Sequence, residues 1–295
     1  MFRVRRLLAP FVLCIVLLFS EAQAFTIAWL SDTQNYHNAY KPIFDGMTQW
    51  IADNRAALDI RFVFHTGDVV GSWSSEDQWR QARESMGILS NASIPFLTVC
   101  GNHDIGYRMN YANFLKYVLS LRPASMSQEY GDTGSRYELF SANGRDYIFM
   151  GIAFSNKGPS EDEVNWINGV LRQYSSRDAI IITHSYLKKS ASYTTQGKAI
   201  FEKIVKANPN VFLVLCGHCR DISYKNVQLD DDGDGNPDRT VYAILSNFQG
   251  SKAGGGGYMR ILDFRDSDIY IYTYSPYYDS CEYPKGKTEA TVPLP

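Results

Sequence analysis

Five short polar clusters in this 295-residue chain carry side chains of the kinds that hold cations and move protons. In order they are Asp32-Thr33-Gln34, Gly67-Asp68, Gly101-Asn102-His103-Asp104, His184, and Gly217-His218-Cys219-Arg220. They offer the carboxylates of Asp32 and Asp68, the amide of Asn102, the imidazoles of His103, His184 and His218, and the Gln34 amide. Carboxylate, amide oxygen and imidazole in one set suit Mn, Fe or Zn, singly or as a pair. The glycines allow backbone to pass close to a bound group. A lone His at a strand end is more often a satisfied structural residue. The succession of clusters is what points to chemistry.

The elements that must position them can be read from apolar runs. Residues 25–30, 60–64, 94–99, 179–183 and 211–215 read as strands, and each runs into one of the clusters. Helical spacing predicts helices over 41–54, 76–89, 111–121 and 197–207, with another opened by Ser160 and a capping box to Glu163. Residues 147–153 read as a further strand, and the last part turns to β at 240–245, 258–264 and 268–274. This alternation argues mixed α/β layering. Ligands in such folds gather outside the carboxyl ends of strands, so five such ends brought together make one site.

The order and spacing of these clusters resemble the calcineurin-like metallophosphoesterase family, whose pattern is Asp-x-His, Gly-Asp, Gly-Asn-His-Asp/Glu, a lone His and Gly-His-x-His. The match runs from Asp32 to Arg220, and the HTGD and GNHD stretches are its most specific parts. The tail LSNFQG, GGGGYMRILDF and TYSP is similar to a bacterial branch that begins with SDTQ. The resemblance implies a four-layer α/β/β/α sandwich, two mixed sheets flanked by helices. It implies that Asp68 bridges two metals, that Asn102, His184 and His218 complete the second position, and that Asp32 belongs to the first. It implies hydroxide held between the metals attacking phosphorus in line, with His103 as general acid to the departing alkoxide and Asp104 helping to orient it. The expected activity is hydrolysis of a phosphate mono- or diester. A catalytically impaired phosphate-ester binding protein is the alternative.

Two residues depart from the family pattern, and both fall at the first metal position. Its first His is here Gln34, which still offers a carbonyl oxygen. Its last His is here Arg220, which has no acceptor and stays protonated. The expectation is one strong site and one weaker, oxygen-rich site that prefers a hard ion such as Mn or Mg. Arg220 either clamps the substrate phosphate or pairs with Asp221 or Asp32 to hold the loop.

The same last cluster contains Cys216-Gly217-His218-Cys219, which resembles the tetrapeptide of disulfide isomerases. A thiol oxidoreductase places that tetrapeptide at the start of a helix. Here ISYKNVQL follows, an extended pattern, so redox catalysis is the lesser reading. Cys216 is expected to be a small buried residue. Cys219 is a bystander, a partner of Cys281 or a neighbour disulfide to Cys216, and Cys100 is the fourth thiol.

Other features are read as follows. Leu229 to Asp238, LDDDGDGNPD, resembles a calcium loop with Asp230, Asp232 and Asp234 at alternate positions, but Val241 stands where a bidentate Glu is needed. The plain alternative is an acidic turn between strands. His37 is a candidate substrate contact, His65 is expected to be held by backbone bonds, and residues 185–195 are placed to touch substrate. Gly254 to Gly257 is expected to be a mobile loop and not a P-loop.

The ends and the composition bound the partners. Arg3, Arg5 and Arg6, an apolar run over 7–19 and Ala22-Gln23-Ala24 read as a signal peptide, residues 1–24, with the metallophosphoesterase domain at 25–295. Removing those residues takes three Arg and one Glu from 29 basic and 31 acidic residues, leaving 26 against 30 and a net charge of −4. That is no field for nucleic acid. No later run is long and apolar enough for a membrane span. The chain is expected to be secreted or periplasmic, monomeric, and to act on a small-molecule, lipid or glycan phosphate ester, to which its 20 tyrosines offer contact surface.

Overall fold

A computed structural model describes residues 24–121, 128–283 and 289–295. The expected leader therefore lies outside the described residues, apart from Ala24. Among the described residues, thirteen strands form two mixed sheets. The first, in the order β13-β12-β11-β1-β2-β3, contains β1 (Phe25–Leu30), β2 (Ile60–His65), β3 (Phe96–Thr98), β11 (Met259–Phe264), β12 (Asp268–Tyr274) and β13 (Ala290–Pro293). The second, in the order β4-β5-β6-β7-β8-β10-β9, contains β4 (Gln128–Tyr130), β5 (Ser135–Ala142), β6 (Arg145–Ile152), β7 (Asp178–Thr183), β8 (Val211–Cys216), β9 (Asp221–Leu229) and β10 (Arg239–Asn247).

The strands at the centre of each sheet are apolar on both faces because both faces are covered. Along β1, Phe25, Ile27 and Trp29 enter the core between the sheets, while Ala28 and Leu30 face helices. Helices α1 (Lys41–Asp53), α2 (Glu76–Asn91) and α4 (Ala112–Tyr117) cover the first sheet. Helices α5 (Glu161–Gln173) and α6 (Thr195–Ile200) cover the second. The layers are thus α/β/β/α, as the family resemblance implied. Among the described residues no helix is long and apolar enough to cross a membrane.

Several elements differ from their sequence reading. The run at 94–99 is paired only over β3, and the helix expected at 111–121 is α4 followed by a 3-10 turn, Leu119–Leu121. The helix expected at 197–207 is α6 running into a π turn, Phe201–Val205. Strand β5 went unread because Arg136 and Glu138 lie on it and are nonetheless buried, which hides its apolar signature. Ser160 caps α5 by accepting from the amide of Glu163, but the Glu163 carboxylate turns inward to Ser135 rather than closing a capping box.

Candidate metal centre

The parallel pairing of β1 with β2 and of β2 with β3, and of β6, β7, β8 and β10 in the other sheet, sends their carboxyl ends to one edge of the sandwich. Asp32 follows β1, Asp68 follows β2, and the short helix α3 (Asn102–Ile105) follows β3 and carries Asn102 and His103. His184 follows β7 and His218 follows β8. Asp32, Asp68 and His218 all sit at positive φ (52°, 54° and 70°), which turns their side chains inward and costs about 1–3 kcal/mol each. Two glycines are required by contact. A Cβ on Gly101 would enter the carboxylate of Asp68, and one on Gly217 would enter that of Asp32.

At the centre, four groups converge on one point. His184 Nε2 lies 3.1 Å from Asn102 Oδ1, 3.1 Å from His218 Nδ1 and 3.3 Å from Asp68 Oδ2. The other nitrogen of His184, Nδ1, sits 2.8 Å from the carbonyl of Thr66, so it carries the proton and Nε2 presents a lone pair. Lone pairs therefore face lone pairs in a buried place, and either a proton on Nε2 or a bound cation relieves them. Ligand atoms of Asp68, His184 and His218 all lie within 4.8 Å of one another. The electrostatics agree. Burial opposes charge on His184, yet Asp68, Asp32 and the Thr66 carbonyl push its imidazole up to about 9. Burial and the neighbouring His184 push His218 down to about 4. Burial, partly offset by His184, raises Asp32 to about 7. Burial also works against the Asp68 carboxylate, but His184 outweighs it and holds the group below its ordinary value. These residues fit a divalent ion.

The neighbouring first position is built differently. Asp32 accepts from Ser31 Oγ and, at 3.1 and 3.2 Å, from the amide of His218. Gln34 turns its amide nitrogen, not its carbonyl, toward the site. Nε2 donates to Asp68 Oδ2 at 3.2 Å and to Gln249 Oε1 at 2.7 Å, while Gln34 Oε1 is buried without a partner. Gln249 and Asn247 were not read as site residues. Asn247 donates to the carbonyl of His218 at 3.0 Å and accepts from the amide of Gln249 at 2.9 Å. Their sequence signal is that of the other strand exits, since β10 is another apolar strand that ends in a polar cluster beside β8.

His103 donates its amide to Asp68 Oδ1 at 2.9 Å, and its Nδ1 donates to the carbonyl of Gly71 at 3.0 Å, which leaves Nε2 free at the exposed face. Asp104 has a different task from the one expected. It is fully buried and accepts from the amides of Val70 (3.0 Å) and Gly101 (2.8 Å), so it pins the two loops together, while Gly71 orients His103. His37 lies beside Gly71 and is half-buried. Arg220 is exposed and, among the described residues, forms no hydrogen bond or ion pair; it is Lys189 that pairs with Asp221, at 2.6 Å. His65 is buried, with Nδ1 accepting from the amide of Gly67 (3.1 Å) and Nε2 donating to Thr33 Oγ1 (3.0 Å), so a side chain shares the task expected of backbone. The Gly254–Gly257 loop is tied to the SDTQ loop through Asn35 and, at 2.9 Å, from the Gly257 amide to Tyr36.

Cys100, Cys216, Cys219 and Cys281 are all free thiols. Cys216 is buried, accepts from the amide of Leu187 at 3.5 Å, and is pushed up to about 12 by burial. Strand β9, not a helix, follows Cys219. Nothing here makes a thiolate. In the acidic turn the clustered carboxylates are Asp230, Asp232 and Asp238 rather than Asp234, all exposed, and they accept from the turn's own amides.

The profile of the calcineurin-like phosphoesterase family matches residues 25–219. The chain belongs to the calcineurin-like phosphoesterase family. Membership agrees with the expected enzyme class, a hydrolase of phosphoric esters. The chain is 41% identical over 259 residues to the uncharacterized protein YvnB of Bacillus subtilis (strain 168). That match covers 86% of this chain but 20% of YvnB, so the chain spans about a fifth of its relative. Among solved structures, a dimetal phosphatase from Danio rerio superposes with a TM-score of 0.62 at 13% identity, covering 91% of this chain and 98% of that one. The purple acid phosphatase PPD1 of yellow lupin superposes with a TM-score of 0.60 at 13% identity, covering 92% and 55%. At that identity these two establish the shared fold.

Proposed function

We propose that this calcineurin-like phosphoesterase is a secreted, metal-dependent hydrolase of phosphate mono- or diesters. The reading rests on the meeting of Asp68, Asn102, His184 and His218 around one buried point. A divalent ion held there would withdraw charge from a phosphoryl oxygen and ease ionisation of water. His103 supplies the proton. The Gly71 carbonyl keeps Nδ1 protonated, so Nε2 is the nitrogen that, in the imidazolium, gives its proton to the departing alkoxide. Asp104 holds the loops of Asp68 and Asn102 in register, and His37 and Arg220 stand at the rim as substrate contacts. Secretion rests on the leader pattern of residues 1–24, and the substrates that suit the site are small, lipid or glycan phosphate esters. The replacement of two imidazoles by Gln34 and Arg220 favours a second reading, a phosphate-ester binder without turnover.

The test uses purified protein with added Mn and two substrates, an alkyl phosphate ester and bis-p-nitrophenyl phosphate. His103→Asn is expected to lower kcat on the alkyl ester by about 10²–10⁴-fold and much less on the nitrophenyl ester, whose leaving group needs no proton. No turnover of either substrate by the parent with any divalent metal selects the binder.

A further inference from the structure

We infer that this chain works with one metal ion, and that an amide pair, Gln34 and Gln249, takes the place of the second. The inference rests on the phosphoesterase reading above and fixes how that site is charged. At the first position a cation needs lone pairs from several sides; Gln34 Oε1 has no partner among the described residues, but the amide nitrogen, not this oxygen, faces Asp68. Gln34 presents N–H to Asp68 Oδ2, the oxygen that also faces His184, so that hydrogen bond covers the carboxylate lone pair a second ion would share. Gln249 accepts from the same nitrogen at 2.7 Å, which agrees with this orientation. Turning the Gln34 amide over would set two oxygens 3.2 Å apart against Asp68, tolerable only with a cation between them. Gln34 is 5% exposed, so no water from the surface relieves such a contact.

The remaining ligands are no better placed. Asp32 already accepts from the His218 amide and Ser31, which leaves fewer of its lone pairs for an ion. Arg220, two residues beyond His218, has no lone pair to give. It brings a fixed positive charge instead, on an exposed side chain with no partner of its own among the described residues. A guanidinium binds phosphate oxygens in pairs, which is a service a second ion would otherwise give. The backbone amide of Gln249 donates to Asn247, which also holds the His218 backbone. Asn247 thus links the backbone beside the amide pair to the backbone that carries His218.

The experiment is metal counting on the purified chain, stripped and then dialysed against excess Mn, by elemental analysis and by electron paramagnetic resonance. The parent is expected to hold one ion with the spectrum of an isolated Mn. The double variant Gln34→His with Arg220→His is expected to hold two, with a spin-coupled spectrum. A single variant, Gln34→His, guards against a double variant that does not fold; it is expected to take a second ion more weakly, as a rise above one ion at high Mn. Two ions in the parent overturn the inference and leave the phosphoesterase reading standing. One ion in the parent and in both folded variants also overturns it, because Gln34 and Arg220 are then not what excludes the second. No ion in the parent overturns the phosphoesterase reading itself.

Discussion

His65 shows how a residue beside the chemistry can set its geometry. Its buried ring joins the loop of Asp32 and Gln34, through Thr33, to the loop of Asp68, through the Gly67 amide. Both bonds need the neutral ring, because Nδ1 must accept. Burial, with His184 nearby, lowers its pKa from 6.5 to about 3. The unfolded chain thus takes up a proton near pH 6.5 that the folded chain refuses. The contribution of His65 to stability is present above that pH and is lost, at about 1.4 kcal/mol per unit, as pH falls toward about 3. His65→Gln removes this proton from the unfolded state. Its stability deficit against the parent is therefore expected to be largest near neutral pH and to narrow by about 2 kcal/mol on going two units below 6.5. Denaturant midpoints at both pH values check this; a deficit that does not change with pH would show that the ring is not held neutral. Asp104, raised to about 7 chiefly by burial, titrates in the opposite sense but equally in both proteins.

At the scale of elements, the strand exits are held by close backbone approach rather than by bulk. Gly217 leaves β8 against the carboxylate of Asp32 and the hydroxyls of Ser31 and Thr66. Gly217→Ala pushes a methyl into that group and shifts the loop that carries His218. Affinity for the ion is expected to fall by about 10–100-fold, the usual cost of disturbing what orients a ligand. Gly46 is the contrasting case. It lies on the exposed face of α1 with open space where a Cβ would go. Gly46→Ala is expected to stabilise the fold by about 0.5–1 kcal/mol and to leave metal affinity unchanged. Titration with Mn and thermal melts of the two variants separate these effects. Equal affinity in the Gly217 variant and the parent would mean that the exit tolerates a side chain and that the packing argument is wrong.

For the whole molecule, the two sheets are joined by an aromatic-rich core. Phe149 of β6 is fully buried and meets Phe62 and Phe64 of β2 at ring distances of 5.0 and 4.9 Å. Phe149→Ala is expected to cost about 3–5 kcal/mol in denaturant unfolding while the folded fraction keeps its metal stoichiometry, since the cavity opens between the sheets and away from the strand exits. A loss below about 1 kcal/mol would mean that the layers are held together elsewhere. The residues that meet at the metal position were legible in the chain, because runs such as 211–215 are apolar on both faces and stop at a polar cluster. That pattern is local, so the order of the sequence carries it. What the chain could not show is whatever depends on partners far away in sequence. Gln34 reads as a possible carbonyl ligand until Asp68 and Gln249, both distant along the chain, are seen to take its N–H groups. Asp104 reads as an orienting acid until the Val70 and Gly101 amides are seen to claim it. Strand β5 reads as polar until its charges are seen to be buried. Side-chain type is fixed by sequence, but which of its atoms faces a ligand depends on hydrogen-bond partners that only folding brings within 3 Å.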